Sequence, residues 1–195
     1  MHKVAVSHVK TDADTAQYSS WISAVDKTEY DSKKLNTNYQ LDINFDREGE
    51  VKQAVSVLAD YQNTKYVASA YNFAEKKLTE KSVAAEYRLF TEADHSLSVS
   101  GRYTDNSLFE NAFTARLAGA YRFSPNVKAH ASLGKAIHNP TMSEYYGWGG
   151  IWLANPNLKA EKSLGGELGI LLETDDKRHS LDTTYFARNA VSYTH

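Results

Sequence analysis

The segment "KLNTNYQLDINF" (residues 34–45) alternates apolar and polar side chains almost without a break. Successive side chains of an extended strand point to opposite sides. Leu35, Thr37, Tyr39, Leu41, Ile43 and Phe45 therefore share one face, and Asn36, Asn38, Gln40, Asp42 and Asn44 the other. The same period of two returns along the chain. Val51, Val55, Val57, Ala59 and Tyr61 oppose Lys52, Ser56 and Asp60, and Val83, Ala85, Tyr87 and Leu89 oppose Glu86 and Arg88. Leu97, Val99 and Tyr103 oppose serines and Arg102; Phe113, Ala115, Leu117, Tyr121 and Phe123 oppose Thr114, Arg116 and Arg122. Val127, Ala129, Ala131 and Leu133 oppose Lys128, His130 and Ser132, and weaker strands follow near 163–173 and 179–190. No segment carries a helical period. The pattern predicts an all-β chain of about nine or ten strands, each of roughly 10 residues, which is longer than the usual strand of about 5–6 residues and long enough to cross a bilayer at a tilt.

The connections fall into two sets. "DREGE" (46–50), "TEAD" (91–94), "SPN" (124–126) and "TDDKR" (174–178) are tight polar turns. Longer links are predicted over about 11–33, 104–111 and 137–161, while 64–77 fits neither a strand nor a loop cleanly. In an antiparallel up-and-down sheet this arrangement puts the long links at one rim and the tight turns at the other. A soluble β-sandwich also alternates, with its apolar face inward. Strand length and loop asymmetry favour a transmembrane β-barrel, whose apolar face meets lipid and whose Asn, Gln, Asp, Arg and Ser face lines a polar lumen.

Composition narrows this reading. The chain has 195 residues and a net charge of −2, so no nucleic-acid partner is indicated. Cysteine is absent, and the count of 13 Tyr is high, as suits surfaces with an apolar and a wet side. No run of about 18 apolar residues marks a transmembrane helix. The start, "MHKVAVSHVKTDADT", lacks the apolar stretch of a signal peptide.

The most informative stretch is 127–169. It contains Ala131-Ser132-x-Gly134-x-Ala136, then Asn139-Pro140-Thr141-Met142-Ser143-Glu144-x-Tyr146-Gly147. After a short loop come Asn155-Pro156-Asn157-Leu158-Lys159-x-Glu161-Lys162-Ser163 and Glu167-x-Gly169. Upstream stands "GRYTDNSLFENAF". These motifs resemble the barrel of TonB-dependent outer-membrane receptors, strongly over about 100–190 and diffusely over 1–100. Asn-Pro-Asn reads physically as a turn, with Asn capping it and Pro fixing φ, so that the next strand starts at Lys162.

The resemblance implies an outer-membrane location in a Gram-negative cell and uptake of a scarce, bulky ligand: cobalamin, an iron–siderophore or haem. Its look is nearest to the cobalamin subgroup, through the short "YGWGG" link and the later "YFARNAVSY". Candidate ligand contacts are His138, Tyr145, Tyr146, Trp148 and Trp152, while Asn139, Pro140, Asn155, Pro156, Asn157, Leu158, Glu161 and Lys162 read as a structural rim motif. The aromatic residues serve equally well as an interfacial girdle or loop packing. The acids Asp12, Asp14, Asp26 and Asp31 are compatible with a rim calcium site but read better as a solvated loop. His130 and Ser132 share the lumen face, a spacing that chance alone often produces, and no catalytic role is assigned. A complete family member carries an N-terminal plug, which reaches the inner-membrane energy coupler, and about 22 strands. Neither plug nor coupling segment is visible in 1–195, so the whole chain reads as one partial barrel domain with two unpaired edges, not competent for transport alone. The alternatives are a small porin-like barrel or a soluble β-sandwich binding protein, with an enzyme a distant third.

Overall fold

The period-two segments form nine strands in one antiparallel sheet whose spatial order is the order of the sequence. The computed structural model describes residues 1–19, 23–46, 49–69, 72–146 and 154–191. The strands are β1 (His2–Ser19), β2 (Ala24–Asp46), β3 (Val51–Ala68), β4 (Lys76–Thr91), β5 (Ser96–Asn106), β6 (Ala112–Ser124), β7 (Val127–His138), β8 (Glu161–Glu173) and β9 (Ser180–Val191). A short helix, α1 (Met142–Tyr146), interrupts the link between β7 and β8. The tight turns fall where the sequence places them. The long links are shorter than expected, because 11–19 and 24–33 belong to β1 and β2, which stay paired out to Ser19 and Ala24. That part has no alternation because both of its faces are wet above the lipid, while backbone pairing continues regardless. The ambiguous 64–77 resolves into the end of β3, a link over 69–75 and the start of β4.

Register puts the apolar set on one face throughout. Ile43, Val55, Tyr87, Val99, Leu117, Leu133, Gly166 and Ala187 lie in one cross-strand row. This face is uncovered: Leu97, Leu117, Leu133 and Tyr185 are 38%, 49%, 52% and 74% exposed, and the buried apolar residues are Ala68 and Ala160 alone among those described. A sandwich needs a second sheet on that face, and none is there among the described residues. The opposite face carries a polar ladder. Asp42 accepts from Gln40 and Ser56 at 2.7 Å each, Arg88 donates to Ser56 at 3.2 Å, and Arg102 donates to Asp60 and Ser82 at 3.0 and 2.6 Å.

The apolar band runs obliquely across the register. Its upper edge is Leu35 on β2, but on β9 it is Ala187, in the row of Ile43. The edge therefore falls eight residues (35 to 43) over the seven steps from β2 to β9. With a rise of about 3.3 Å per residue and a strand spacing of about 4.8 Å, that fall corresponds to a tilt of about 40°. Transmembrane barrels tilt by about 35–45°, and ten residue steps at that tilt, Leu35 to Phe45, span about 25 Å, the height of their apolar band. The uncovered face is thus built for lipid. At the tight-turn rim, Arg122 donates to Asp94 and Glu173 at 2.8 Å each, and Lys128 reaches Asp94 at 2.8 Å, tying three hairpin turns together.

Candidate functional site

The long links gather at the opposite rim, where short local signals set the backbone. At the end of β5, Asn106 is buried at 8% exposure. Its Oδ1 accepts the N–H groups of Leu108 and Phe109 at 2.9 and 3.0 Å, and its Nδ2 donates to Glu80 at 2.9 Å. Ser107 Oγ accepts the Thr79 N–H at 2.8 Å. The Asn-Ser-x-Phe run is thus a side-chain-capped turn that presents Phe109.

After β7, Thr141 and Glu144 close a capping box. The Thr141 N–H donates to Glu144 Oε2 at 2.7 Å, and the Glu144 N–H donates to Thr141 Oγ1 at 3.3 Å. Helix α1 follows, with Pro140 just ahead of the cap. Sequence reasoning missed this helix because five residues show no period, although the Thr-x-x-Glu signature was there to find it. The Thr141 backbone N–H, then its hydroxyl, hold the Glu144 carboxyl below its ordinary value.

Asn155-Pro156-Asn157 forms the expected turn. The Asn157 N–H donates to Asn155 Oδ1 at 3.1 Å, and the Leu158 N–H to the Asn155 carbonyl at 3.2 Å. The Asn155 N–H donates to the Glu144 carbonyl at 3.3 Å, so the two motifs of the link are docked on each other. Ala160 is buried at 4% behind them, and β8 begins at Glu161, one residue before the expected Lys162.

The aromatic residues stack on this frame. Tyr145 meets Phe109 edge-on with ring centres 5.5 Å apart, and meets Tyr146 at 4.9 Å. The Lys76 ammonium lies 4.6 Å from the centre of the Tyr146 ring. Burial pushes the Tyr146 hydroxyl pKa up. Tyr145 and Tyr146 are therefore packed into a platform joining three links, not spread as a girdle. Phe109 and Lys76, which the sequence did not single out, belong to it. Trp148 and Trp152 lie outside the described residues. His138 is exposed at the top of β7, opposite Glu161 in register. Asn139 is half-buried, with its side-chain oxygen unpaired among the described residues. Lys162 reaches Glu110 at 3.6 Å.

The remaining candidates separate. His130 Nε2 lies 3.0 Å from Asp182 Oδ1, while Ser132 donates to Glu167 at 2.8 Å. The two neighbours thus engage different acids and form no relay. A Cβ on Gly169 would collide with the His130 ring and lie 2.7 Å from Thr184 Oγ1, which explains the glycine of Glu167-x-Gly169. In the first hairpin, Asp12 and Asp31 face each other in register, and the Lys10 ammonium lies 2.9 Å from Asp12 and 3.9 Å from Asp31, so a lysine already neutralises this pair.

A tilted antiparallel sheet with a bare apolar face, a polar inner face and one structured rim is a sector of a transmembrane β-barrel. The family described as "TonB dependent receptor-like, beta-barrel" matches residues 3–192, and the chain belongs to it. The siderophore receptor PirA of Acinetobacter baumannii superposes with a TM-score of 0.80 at 16% identity, over 97% of this chain and 32% of that one. A variant of the ferric enterobactin receptor PfeA of Pseudomonas aeruginosa, in complex with enterobactin, gives 0.72 at 13% identity over 97% and 32%. The copper transporter OprC gives 0.63 at 13% identity over 96% and 34%. The chain thus spans about a third of the length of these structures. No match was found among curated protein sequences.

Proposed function

We propose that residues 1–195 are a sector of the barrel of an outer-membrane receptor that imports a scarce, bulky ligand. The observation that carries this reading is the bare apolar band, tilted as in a membrane barrel and crowned at one rim by the docked Thr141–Glu144 and Asn155–Asn157 motifs. The ligand class we favour is an iron–siderophore chelate, supported by the names of the similar structures, with cobalamin and haem as alternatives. Tyr145 and Tyr146, with Phe109 beneath them, present apolar surface to the outside, where a bulky ligand arrives; His138, Trp148 and Trp152 are further contact candidates on the same link. Energy reaches such a receptor through a plug and an inner-membrane coupler, both supplied by polypeptide beyond this sector.

The test is uptake by cells that express the native polypeptide bearing these residues. Iron-55 enterobactin and cobalt-57 cobalamin serve as probes. Tyr145→Ala with Tyr146→Ala is expected to lower iron-55 uptake about tenfold, the loss of one aromatic anchor. Heat-modifiable gel migration of the barrel should stay intact. Uptake of cobalamin alone would replace the ligand class. Uptake of both probes unchanged in the variant would remove the platform from the ligand path.

A further inference from the structure

On the inward face of β6–β9, one register row places Arg116, Gly134, Gly165 and Arg188 side by side, one from each strand. Packing does not demand these two glycines. A Cβ on Gly134 would meet Arg116 Cγ and the Ala115 carbonyl oxygen at 3.7 Å, and a Cβ on Gly165 would meet the Ala187 carbonyl oxygen at 3.5 Å and Arg188 Cγ at 3.6 Å, all ordinary contacts. At Gly119 and Gly166, by contrast, a Cβ would come within 3.2 and 3.1 Å of a carbonyl oxygen. Glycine weakens a strand, and where the sheet does not require it, it marks a place where something approaches the backbone closely.

The same distances show which way the arginines lean. The Arg116 stem lies against Gly134 and the Arg188 stem against Gly165, so the two converge over a bare floor from opposite sides. Both side chains are exposed. Arg116 Nη2 lies 3.9 Å from Glu167 Oε1, an oxygen that already accepts from Ser132 at 2.8 Å. Arg188 has no ion pair or hydrogen bond among the described residues. Two guanidiniums thus face one carboxylate, which leaves one net positive charge at the floor. The next row down holds Ser132, Glu167 and Phe186. Phe186, two residues from Arg188 on the same strand, is an apolar ring on the polar inward face, 78% exposed. On the side toward β5, Arg116 also lines an inward cavity of about 480 Å³ with Ser100 and Thr114.

We propose that this floor binds an aromatic oxyanion: a carboxylate or phenolate on a flat ring, carrying one negative charge. The oxygens lie over the glycine backbone and take the forked donors of Arg116 and Arg188, and the ring packs on Phe186. The anion arrives free, or as an arm of a larger chelate whose body occupies the adjoining cavity. The site rests on the barrel reading, which makes this face the lumen; only the second source rests on the transport reading as well.

Equilibrium dialysis of the native receptor polypeptide in detergent tests this, with carbon-14 salicylate as the probe. Phenol supplies the ring without the charge, and acetate the charge without the ring. Salicylate is expected to bind, and each control to bind about tenfold more weakly. Arg188→Gln should lower salicylate affinity about tenfold, the loss of one charge-assisted contact, and Arg188→Lys, a cation without the fork, should restore only part of it. Gly134→Ala with Gly165→Ala raises the floor and should also lower affinity, while stability to urea stays level or rises. Heat-modifiable migration confirms that each variant is folded. Displacement of salicylate by ferric enterobactin assigns the anion to an arm of the chelate, and retention assigns it to a free acid. Salicylate held no better than phenol or acetate would overturn the proposal. So would affinity unaffected by Arg188→Gln or by the paired alanines, or a glycine variant that loses stability instead of affinity. Cells that take up neither labelled ligand would refute the transport reading and leave the salicylate result standing.

Discussion

Gly169 shows how a single position is set by a neighbour across the sheet. Its missing side chain leaves room for the His130 imidazole to lie over β8 and reach Asp182 on β9. Gly169→Ala forces overlap with that ring and with Thr184, and overpacking of this kind costs about 1–3 kcal/mol. Urea unfolding of the barrel in lipid vesicles should show that loss. His130→Ala placed in the same chain should recover most of it, and a double variant no more stable than Gly169→Ala would mean the ring is not the obstacle. Asn106 works the same way at the rim: one buried amide satisfies two backbone N–H groups and thereby aims Phe109 at Tyr145. Neither role is visible from alternation, since each depends on which strand lies alongside.

Helix α1 is too short to be stable through its own hydrogen bonds, so its existence rests on its cap and its docking. The capping box joins Thr141 and Glu144, and the Glu144 carbonyl receives the Asn155 N–H. Because the folded Glu144 carboxyl titrates below its ordinary value of 4.5, its contribution is complete above that value. It disappears as pH falls through the lower, folded one. The Thr141 amide resonance should therefore titrate with a midpoint below 4.5. In Glu144→Gln, whose amide can still close the box, that titration should vanish while α1 remains. A midpoint at or above the ordinary value would show that the box does not favour the charged carboxylate. Loss of the cap altogether, in Thr141→Ala, is expected to cost about 1 kcal/mol and to loosen the Tyr145–Phe109 contact, seen as weaker aromatic cross-peaks.

At the scale of the molecule, sidedness is the governing property. Among the described residues, the sheet holds apolar side chains on a face with nothing over it and charged ones on the face that bears a hydrogen-bonded ladder. In water this is inside out; in a bilayer it is the stable arrangement, since every interior strand pairs on both sides and no backbone donor faces lipid there. Leu117→Arg, in the middle of the outward band, should therefore destabilise the membrane-inserted barrel by about 2–4 kcal/mol, whereas Ser100→Arg, one strand away on the inward face, should cost well under 1. Equal costs at the two sites would contradict the assignment of faces. β1 and β9 each pair on one side only. Nine strands are an odd number, so these two edges run parallel and an all-antiparallel closure requires at least one further strand, in keeping with a sector of a wider barrel.

Much of this was legible in the chain itself. Alternation from Leu35 to Phe45 and its repeats determined that the protein is all-β, which residues share a face, and where the tight turns lie, because strand geometry is local and has a period of two. The Asn155-Pro156-Asn157 turn was equally local. What the sequence left open was which face is inside, since a period of two is the same in a sandwich and in a barrel. Only the tertiary structure decided it, by leaving the apolar face uncovered and running its band at about 40° across the register. Tertiary structure alone also extended β1 and β2 over 11–19 and 24–33, where both faces are mostly polar and pairing is held by backbone hydrogen bonds that carry no side-chain signature. It alone brought Phe109, Lys76, Tyr145 and Tyr146 together. Three links far apart in sequence meet there because adjacent hairpins of a tilted sheet open at the same rim.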